Sequence, residues 1–242
     1  MTAVPADARY WAVVPAAGSG TRMGAALPKQ YLQLGGRTVL EHTLDALLAC
    51  APLAGIVLVV AEGDAHWGDI SSRYAGRPLV SVTGGAQRCH SVRNGLRHLA
   101  GLAQPRDQVL VHDAARPCLR PDDVSRLIAA VGADVNGGLL GMPVADTMKR
   151  VDADQRVART VERAGLWHAL TPQLFRIDLL DAALAAAIDA GVAVTDEASA
   201  MERAGYAPRM VQGSRDNIKI TLPADLALAA FYLHHRSPSV SC

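Results

Sequence analysis

The chain has 242 residues, half of them hydrophobic, a length that suits one large α/β domain or two small ones. A formal net charge of +1 gives no electrostatic basis for binding nucleic acid, and aspartates interrupt the longest apolar stretch, residues 177–194, so we expect neither nucleic-acid nor membrane partners. Four widely spaced cysteines without a C-x-x-C pair, and an N-terminus without a signal-peptide pattern, lead us to expect a cytoplasmic protein.

Apolar runs alternate along the chain with amphipathic segments. Predicted helices begin near Thr38, Pro121, Ile177 and Pro223, the first with a capping box that Glu41 completes. Predicted strands lie between them, several as nearly continuous apolar runs, at 11–15, 55–60, 79–82, 108–112, 137–142 and 208–212. This alternation predicts a mostly parallel sheet with helices on both faces, and ligands then bind beyond the carboxyl ends of the strands.

The first predicted strand leads into a loop of small residues, within AVVPAAGSGTRMGAALPKQYLQLGG at 12–36. Gly18 and Gly20 let the backbone approach a ligand and turn N–H groups toward an anion, and Arg22 and Lys29 can meet phosphate charge. The chain has no Gly-Lys dipeptide, which excludes a P-loop, and G-x-G-x-x-x-G is not the dinucleotide fingerprint. The pattern favours a nucleoside triphosphate, although glycine spacing alone also fits an ordinary strand-to-helix turn.

Two further segments carry candidate ligand-binding residues. In VLVHDAARP (109–117), Asp113 ends a buried strand, where one carboxylate plus substrate phosphates would suit Mg²⁺; a turn or cap residue is the alternative, and His112 is interpreted as a core residue. In GGAQRCHSV (84–92), a glycine pair enters a helix. Ser91 is suited to a base edge there, whereas Arg88 fits a solvated helix residue.

The second half of the chain contains a polar stretch at 143–165, which we interpret as a two-stranded arm with its turn at 152–155. In VTDEAS (194–199), Thr195 fits a helix N-cap. In DNIKIT (216–221), alternation places Lys219 on a short strand, opposite Ile218 and Ile220. The chain has only three lysines against 21 arginines, so a lysine here suggests a site that favours a compact ammonium. Chance placement is the alternative, in particular for Lys149.

Seven motifs together resemble one enzyme family. They occur in the order PAAGSGTRMG…PKQY, GGAQR…SV, VLVHDAARP, DTMKR, RAGLWHALTPQ, TDEAS and DNIKIT, and they extend over about residues 10–235. In this combination they closely resemble the 2-C-methyl-D-erythritol 4-phosphate cytidylyltransferases of the non-mevalonate isoprenoid pathway. The resemblance implies an α/β Rossmann-like nucleotidyltransferase fold, a single domain over 1–242, and an arm at about 143–165 that forms a homodimer with composite active sites.

The resemblance also implies ligands and roles: CTP and methylerythritol phosphate as substrates, with Mg²⁺ as the cofactor. The nucleotide would contact Ala16, Ala17, Gly18, Ser19, Gly20, Gly85 and Ser91, while Arg22, Lys29 and Lys219 would be the catalytic cations. Asp113 would serve the metal and the ribose. The acceptor would contact Arg116, Thr171 and Thr195, together with Thr147 and Arg163 of the partner subunit. Many relatives have an acidic residue where this chain has Ala86.

The expected reaction yields 4-diphosphocytidyl-2-C-methyl-D-erythritol and pyrophosphate. Its nucleophile is a phosphate oxygen, which needs no general base at neutral pH, so catalysis would rest on positioning and charge neutralisation. Three alternatives remain at this point. They are a cytidylyltransferase for another polyol phosphate such as ribitol 5-phosphate, a nicotinamide-dependent dehydrogenase, and a nucleotide-binding module without catalysis.

Overall fold

The computed structural model describes residues 9–18, 27–50 and 53–235. Its strands are β1 (Tyr10–Pro15), β2 (Gln33–Leu34), β3 (Arg37–Thr38), β4 (Leu53–Val60), β5 (Leu79–Thr83), β6 (Gln108–Val111), β7 (Gly138–Pro143), β8 (Met148–Val151), β9 (Val157–Val161), β10 (Trp167–Arg176) and β11 (Arg209–Gln212). Its α-helices are α1 (Val39–Leu48), α2 (Ala65–Ser71), α3 (Arg88–Leu99), α4 (Pro121–Val131), α5 (Ile177–Asp189), α6 (Glu197–Arg203) and α7 (Pro223–His234). None of the helices in these ranges is both long and apolar enough to cross a bilayer.

The centre of the fold is a seven-stranded sheet in the order β11-β7-β10-β6-β1-β4-β5. β1 pairs parallel with β4 and β6, and β4 pairs parallel with β5. β10 runs antiparallel to both of its neighbours, β6 and β7. The prediction of a mostly parallel sheet is confirmed, and all six predicted strands are present, but β10 was missed.

Helices cover both faces of this sheet, as predicted. Along β1 the side chains alternate, so that Ala12 and Val14 enter one core whereas Trp11 and Val13 enter the other. The first core is completed by α1, α2 and α4, and the second by α3, α5 and α6. Because the strands are covered on both sides, their carboxyl ends are left as the accessible edge for a ligand.

Local signals place several helix ends as the sequence predicts. Thr38 and Glu41 form the capping box of α1, and Pro121 occupies the first turn of α4. The prediction of Thr195 as an N-cap is wrong, because Asp196 is the N-cap of α6 and its carboxylate accepts from the backbone N–H of Ser199. Asp196 succeeds there because its side chain reaches the N3 amide from the residue next to the helix, one position closer than Thr195.

β8 and β9 pair with each other as a separate two-stranded sheet within the polar stretch at 143–165. The turn that joins them is closed by Asp152, whose carboxylate accepts from the backbone N–H groups of Asp154 and Arg156. Nearly every side chain of the two strands is exposed. The two-stranded element is confirmed, and its part in dimer formation stays a prediction.

Candidate functional site

A cavity of about 280 Å³ lies where the loops after β1, β5 and β6 converge, at the carboxyl edge of the parallel strands. Among its lining residues are eight that the sequence singled out for ligand binding or catalysis: Ala16, Ala17, Gly18, Lys29, Gly85, Ser91, Asp113 and Lys219. These residues come from four separate segments of the chain. The structure therefore brings them together as the sequence analysis expects, while their individual roles stay predictions.

Close packing explains the glycine pair after β5. A Cβ at Gly84 would lie 2.5 Å from the Cβ of Ala17, and a Cβ at Gly85 would lie 2.5 Å from that of His90. The Ser91 hydroxyl accepts from the backbone N–H of Gly85 at 3.1 Å and donates to the Gln87 carbonyl at 3.2 Å. This part of the cavity wall is thus built from backbone, and Ser91 fixes its shape.

Gln30, which the sequence analysis passed over, holds the first loop. Its side-chain amide donates to the carbonyls of Ala16 at 2.6 Å and Gly18 at 3.1 Å, and the residue is buried. Two carbonyls held by one amide fix the direction of the peptides between them. The sequence feature that could have identified Gln30 is its place after Lys29 in the PKQY motif. It is the middle residue of a short 3₁₀ turn over Lys29–Tyr31.

Asp113 is the electrostatic centre of the cavity. Its Oδ1 accepts from Nε and Nη2 of Arg88, at 3.3 and 3.2 Å. Its Oδ2 lies 2.9 Å from Nζ of Lys219 and 3.4 Å from Nε of Arg116. Burial alone would raise the pKa of this carboxyl, but the three cations outweigh burial and hold the pKa well below its usual range, so Asp113 is ionised.

His112, the residue before Asp113, is a core residue, as interpreted from the sequence. It is fully buried, and burial lowers its pKa to about 4, which keeps the imidazole neutral at physiological pH. Its Nδ1 lies 3.0 Å from the Thr171 hydroxyl, which also accepts from the backbone N–H of Asp113 at 3.1 Å. Thr171 is therefore buried behind Asp113, where it fixes the backbone that carries the carboxylate.

The segment that carries Lys219 is extended but forms no strand, which corrects the prediction of a short strand at 216–221. One long-range backbone hydrogen bond holds it, from the N–H of Ile220 to the Ala115 carbonyl at 2.9 Å. A single such bond does not make the ladder that defines a strand. The alternation still holds, because Ile218 and Ile220 join an apolar cluster while Lys219 reaches Asp113.

The interpretation of Arg88 as a solvated residue is wrong. Its guanidinium bridges Asp113 and Glu197, and Glu197 accepts from Nη1 at 2.5 Å and from Nη2 at 3.1 Å. Both partners are distant in sequence, at 25 and 109 positions, so no local pattern reveals them. Burial alone would lower the pKa of Arg88, but the two carboxylates outweigh it and raise the pKa, which keeps the cation charged.

A second cavity, of about 640 Å³, adjoins the first through Lys219. Arg116 lines it, and the Arg116 guanidinium also donates to the Asn217 carbonyl at 2.8 Å. Ala145 and Asp146, at the base of the arm, line the same cavity. Two adjoining cavities thus share Lys219, one lined by the loops after the parallel strands and the other by the base of the arm.

Several residues of the predicted site need separate comment. Thr147, Arg163 and Thr195 are exposed, and none of them lines the first cavity. Arg163 donates to the Ala145 carbonyl at the base of the arm. Ala86 lines the first cavity, where Gln87 beside it supplies a neutral amide. Ser19, Gly20 and Arg22 lie outside the described residues.

The donor set of the first cavity fits a magnesium ion that is shared with a triphosphate. Asp113 is the single carboxylate among the described residues that line this cavity, and these ranges contain no cluster of three or more metal-ligating side chains. Mg²⁺ keeps several waters and commonly binds one or two carboxylates plus substrate phosphates. Both oxygens of Asp113 already face cations, and a metal would displace the longest of these contacts, that of Arg116 Nε at 3.4 Å, while the contacts of Arg88 and Lys219 are kept.

Comparisons with known proteins agree on one family. A family model described as 2-C-methyl-D-erythritol 4-phosphate cytidylyltransferase matches residues 10–235. Curated proteins of that name from Pseudomonas aeruginosa and Vibrio parahaemolyticus are 53% identical over 218 residues and 52% identical over 223 residues. The alignments cover 90% and 92% of this chain, and 93% and 94% of those proteins.

Solved structures of similar proteins have the same fold. A crystal structure of 4-diphosphocytidyl-2C-methyl-D-erythritol synthase aligns with a TM-score of 0.82 at 39% identity, covering 94% of this chain and 99% of that one. The 2-C-methyl-D-erythritol 4-phosphate cytidylyltransferase of Francisella tularensis aligns with a TM-score of 0.80 at 33% identity, covering 93% of this chain and all of that one.

Proposed function

This chain belongs to the 2-C-methyl-D-erythritol 4-phosphate cytidylyltransferase family, and from this membership we infer its reaction. It transfers the cytidylyl group of CTP to 2-C-methyl-D-erythritol 4-phosphate, a step of isoprenoid precursor biosynthesis. The products are 4-diphosphocytidyl-2-C-methyl-D-erythritol and pyrophosphate. A dehydrogenase and a module without catalysis are thereby set aside.

One observation supports this chemistry most directly: Asp113 holds Arg88, Arg116 and Lys219 at the junction of the two cavities. The acceptor phosphate and the triphosphate are both anionic, so their approach is opposed by charge repulsion. Preorganised cations beside the reacting phosphorus reduce that repulsion without reorganising during the reaction. We place CTP in the first cavity and the acceptor in the second, with Lys219 between them.

The proposed step is attack by a phosphate oxygen of the acceptor on the α-phosphorus of CTP. The new P–O bond forms as the bond to the leaving pyrophosphate breaks, and the pyrophosphate takes the bonding electron pair. A phosphomonoester is mostly dianionic at neutral pH, so no side chain has to remove a proton. This suits a site where His112 is neutral and buried and the Ser91 hydroxyl is engaged in its own turn.

We propose the following roles for the residues of the site. The loop at Ala16–Gly18, held by Gln30, faces the nucleotide, and Gly85 with Ser91 shapes the base pocket. Lys29 and Lys219 neutralise phosphate charge, together with Arg22 as implied by the family motif. Arg116, which lines the second cavity, is proposed for the acceptor side. Thr171 and Thr195 line neither cavity, and only the family resemblance assigns them to the acceptor.

We also propose Mg²⁺ as the cofactor, held by Asp113 and by phosphate oxygens of CTP. When bound, it would supply further neutralisation of triphosphate charge. A homodimer in which Thr147 and Arg163 complete the partner's acceptor site is likewise a proposal, as is a cytoplasmic location.

The experiment that tests this function is pyrophosphate release from CTP, with 2-C-methyl-D-erythritol 4-phosphate and ribitol 5-phosphate compared side by side. We expect kcat/KM to be higher with the methylerythritol acceptor, and we expect CTP to be preferred over UTP. Faster turnover with ribitol 5-phosphate would make the chain a cytidylyltransferase for another polyol phosphate. Equal use of UTP would contradict the proposed base pocket.

A further inference from the structure

Arg88 uses two separate edges of its guanidinium for two different carboxylates. The Nη1–Nη2 edge donates to both carboxylate oxygens of Glu197, at 2.5 and 3.1 Å. The Nε–Nη2 edge donates to Oδ1 of Asp113, at 3.3 and 3.2 Å. A guanidinium has five N–H groups in one plane, so fixing one edge also fixes the direction of the other.

Glu197 lies behind this arrangement and outside the cavity. Its side chain is 1% exposed and is absent from the cavity lining, so it has no route to the substrate except through Arg88. It is the first residue of α6. The start of α6 is tied to β10, because Gln173 accepts from the backbone N–H of Ala198 at 2.8 Å and donates to the Asp196 carboxylate at 2.9 Å. Glu197 is therefore carried on a fixed element.

The position of Arg88 also determines how Asp113 meets Lys219. Because Arg88 occupies Oδ1, the other oxygen of Asp113 is directed to Lys219 at 2.9 Å and to Arg116 at 3.4 Å. The Lys219 side chain is 36% exposed, and its ion pair with Asp113 directs the ammonium toward the cavity. The chain of contacts thus runs from Glu197 to Arg88, to Asp113 and finally to Lys219.

We propose that Glu197 is a positioning residue of the cytidylyl transfer: it fixes Arg88, and Arg88 orients the Asp113 carboxylate so that Oδ2 holds Lys219 at the reacting phosphate. This inference rests on the proposed function. It also predicts that lysine cannot replace Arg88. A lysine would carry the charge but would present one compact ammonium, which cannot grip two carboxylates along two edges.

The test is a double-mutant cycle between Glu197→Gln and Lys219→Ala. In the glutamine variant, one carboxylate oxygen becomes an N–H donor that faces the N–H donors of Arg88, so the Nη1–Nη2 edge is released. We expect kcat per folded enzyme to fall on the order of 10-fold to 100-fold, since small misplacements of reacting groups can cost that much. In the Lys219→Ala background the same change should cost less than about threefold, because coupled residues are not additive.

Glu41→Gln is the matched control. Glu41 is also buried, is paired with Arg73 and Arg37, and lies on α1 outside the cavity lining. We expect it to lower the melting temperature while leaving kcat per folded enzyme unchanged. Folded fractions are measured by circular dichroism. If Glu197→Gln does not fold, Arg88→Lys replaces it in the same cycle. We expect it to lower kcat by a similar factor in the wild type and by less than about threefold in the Lys219→Ala background.

The possible outcomes separate the inference from the function. An active wild type beside a Glu197→Gln variant within about twofold of it would overturn the inference alone. The inference would also be overturned if Glu197→Gln lowered kcat by the same factor in the Lys219→Ala background as in the wild type. An equal loss of kcat in Glu41→Gln would overturn it too. A folded wild type that releases no pyrophosphate from CTP and 2-C-methyl-D-erythritol 4-phosphate would overturn the proposed function and this inference together.

Discussion

We expect replacement of Lys219 with alanine to lower kcat on the order of 10²–10³-fold, because it removes a preorganised charge donor from the transferring phosphate. The effect on the free energy of unfolding should be small by comparison. The Lys219 side chain is 36% exposed, and Asp113 keeps Arg88 and Arg116 as partners when the lysine is lost. The measurement is steady-state kcat beside a thermal melt of the same preparation. Lys29→Ala should give a loss of the same kind.

Lys149→Ala is the control for Lys219→Ala. Its ammonium donates to the Thr160 hydroxyl at 2.7 Å on the exposed surface of the arm. We expect kcat to stay close to the wild-type value there, because the charge lies on β8 rather than at the cavity. A folded Lys219→Ala enzyme with near-normal kcat would remove Lys219 from its assigned role.

The second large effect concerns Arg163, which we expect to act on the partner subunit's acceptor. An arm with two exposed strands has little core of its own, and a two-fold dimer supplies a surface for it. The acceptor dianion needs a bidentate cation, which arginine provides better than lysine. Arg163→Ala should therefore abolish most turnover, although Arg163 is outside the first cavity of its own subunit.

The structure also gives the opposite assignment a physical basis, since Arg163 contacts Ala145, and Ala145 lines the second cavity beside Arg116. Mixing Arg163→Ala with Lys219→Ala, under conditions of subunit exchange, decides between them. With composite sites, each mixed dimer has one intact site and one doubly damaged site. Random pairing makes half the dimers mixed, so about a quarter of wild-type activity should return.

If Arg163 serves its own subunit, every site in the mixture keeps one lesion and activity stays at the level of the separate variants. Exchange is verified independently by mixing differently tagged subunits and isolating the mixed species. Absence of recovered activity in a verified mixture would reject the assignment of Arg163 to the partner's site.

The sheet could be predicted largely from the sequence, because strands covered on both faces leave continuous apolar runs. β10 could not be predicted in this way, because it is not a continuous apolar run. Its residues mix exposed positions at Trp167 and His168 with buried ones at Leu174 and Phe175, and Pro172 interrupts the run. Its direction, antiparallel to β6 and β7, is set by long-range pairing that no local pattern encodes.

Part of the cavity lining could be predicted from the sequence motifs. Lys29, Asp113 and Lys219 are recognisable in the sequence, and the structure brings them together at one cavity. The roles of Gln30, Arg88 and Glu197 are not recognisable in the sequence, although each residue lies inside one of the seven motifs. Their importance depends on partners that lie 12 to 109 positions away, and local spacing cannot report such contacts.

We propose that the cytidylyl group passes directly between two bound phosphates, organised by cations and without an enzyme nucleophile. Exchange of labelled pyrophosphate into CTP tests it most directly, because a covalent cytidylyl-enzyme would support exchange with no acceptor present. We predict exchange when 2-C-methyl-D-erythritol 4-phosphate or 4-diphosphocytidyl-2-C-methyl-D-erythritol is present, because labelled pyrophosphate enters CTP by reaction with that product, and no exchange with CTP and pyrophosphate alone. Label entering CTP when neither compound is present would contradict the claim.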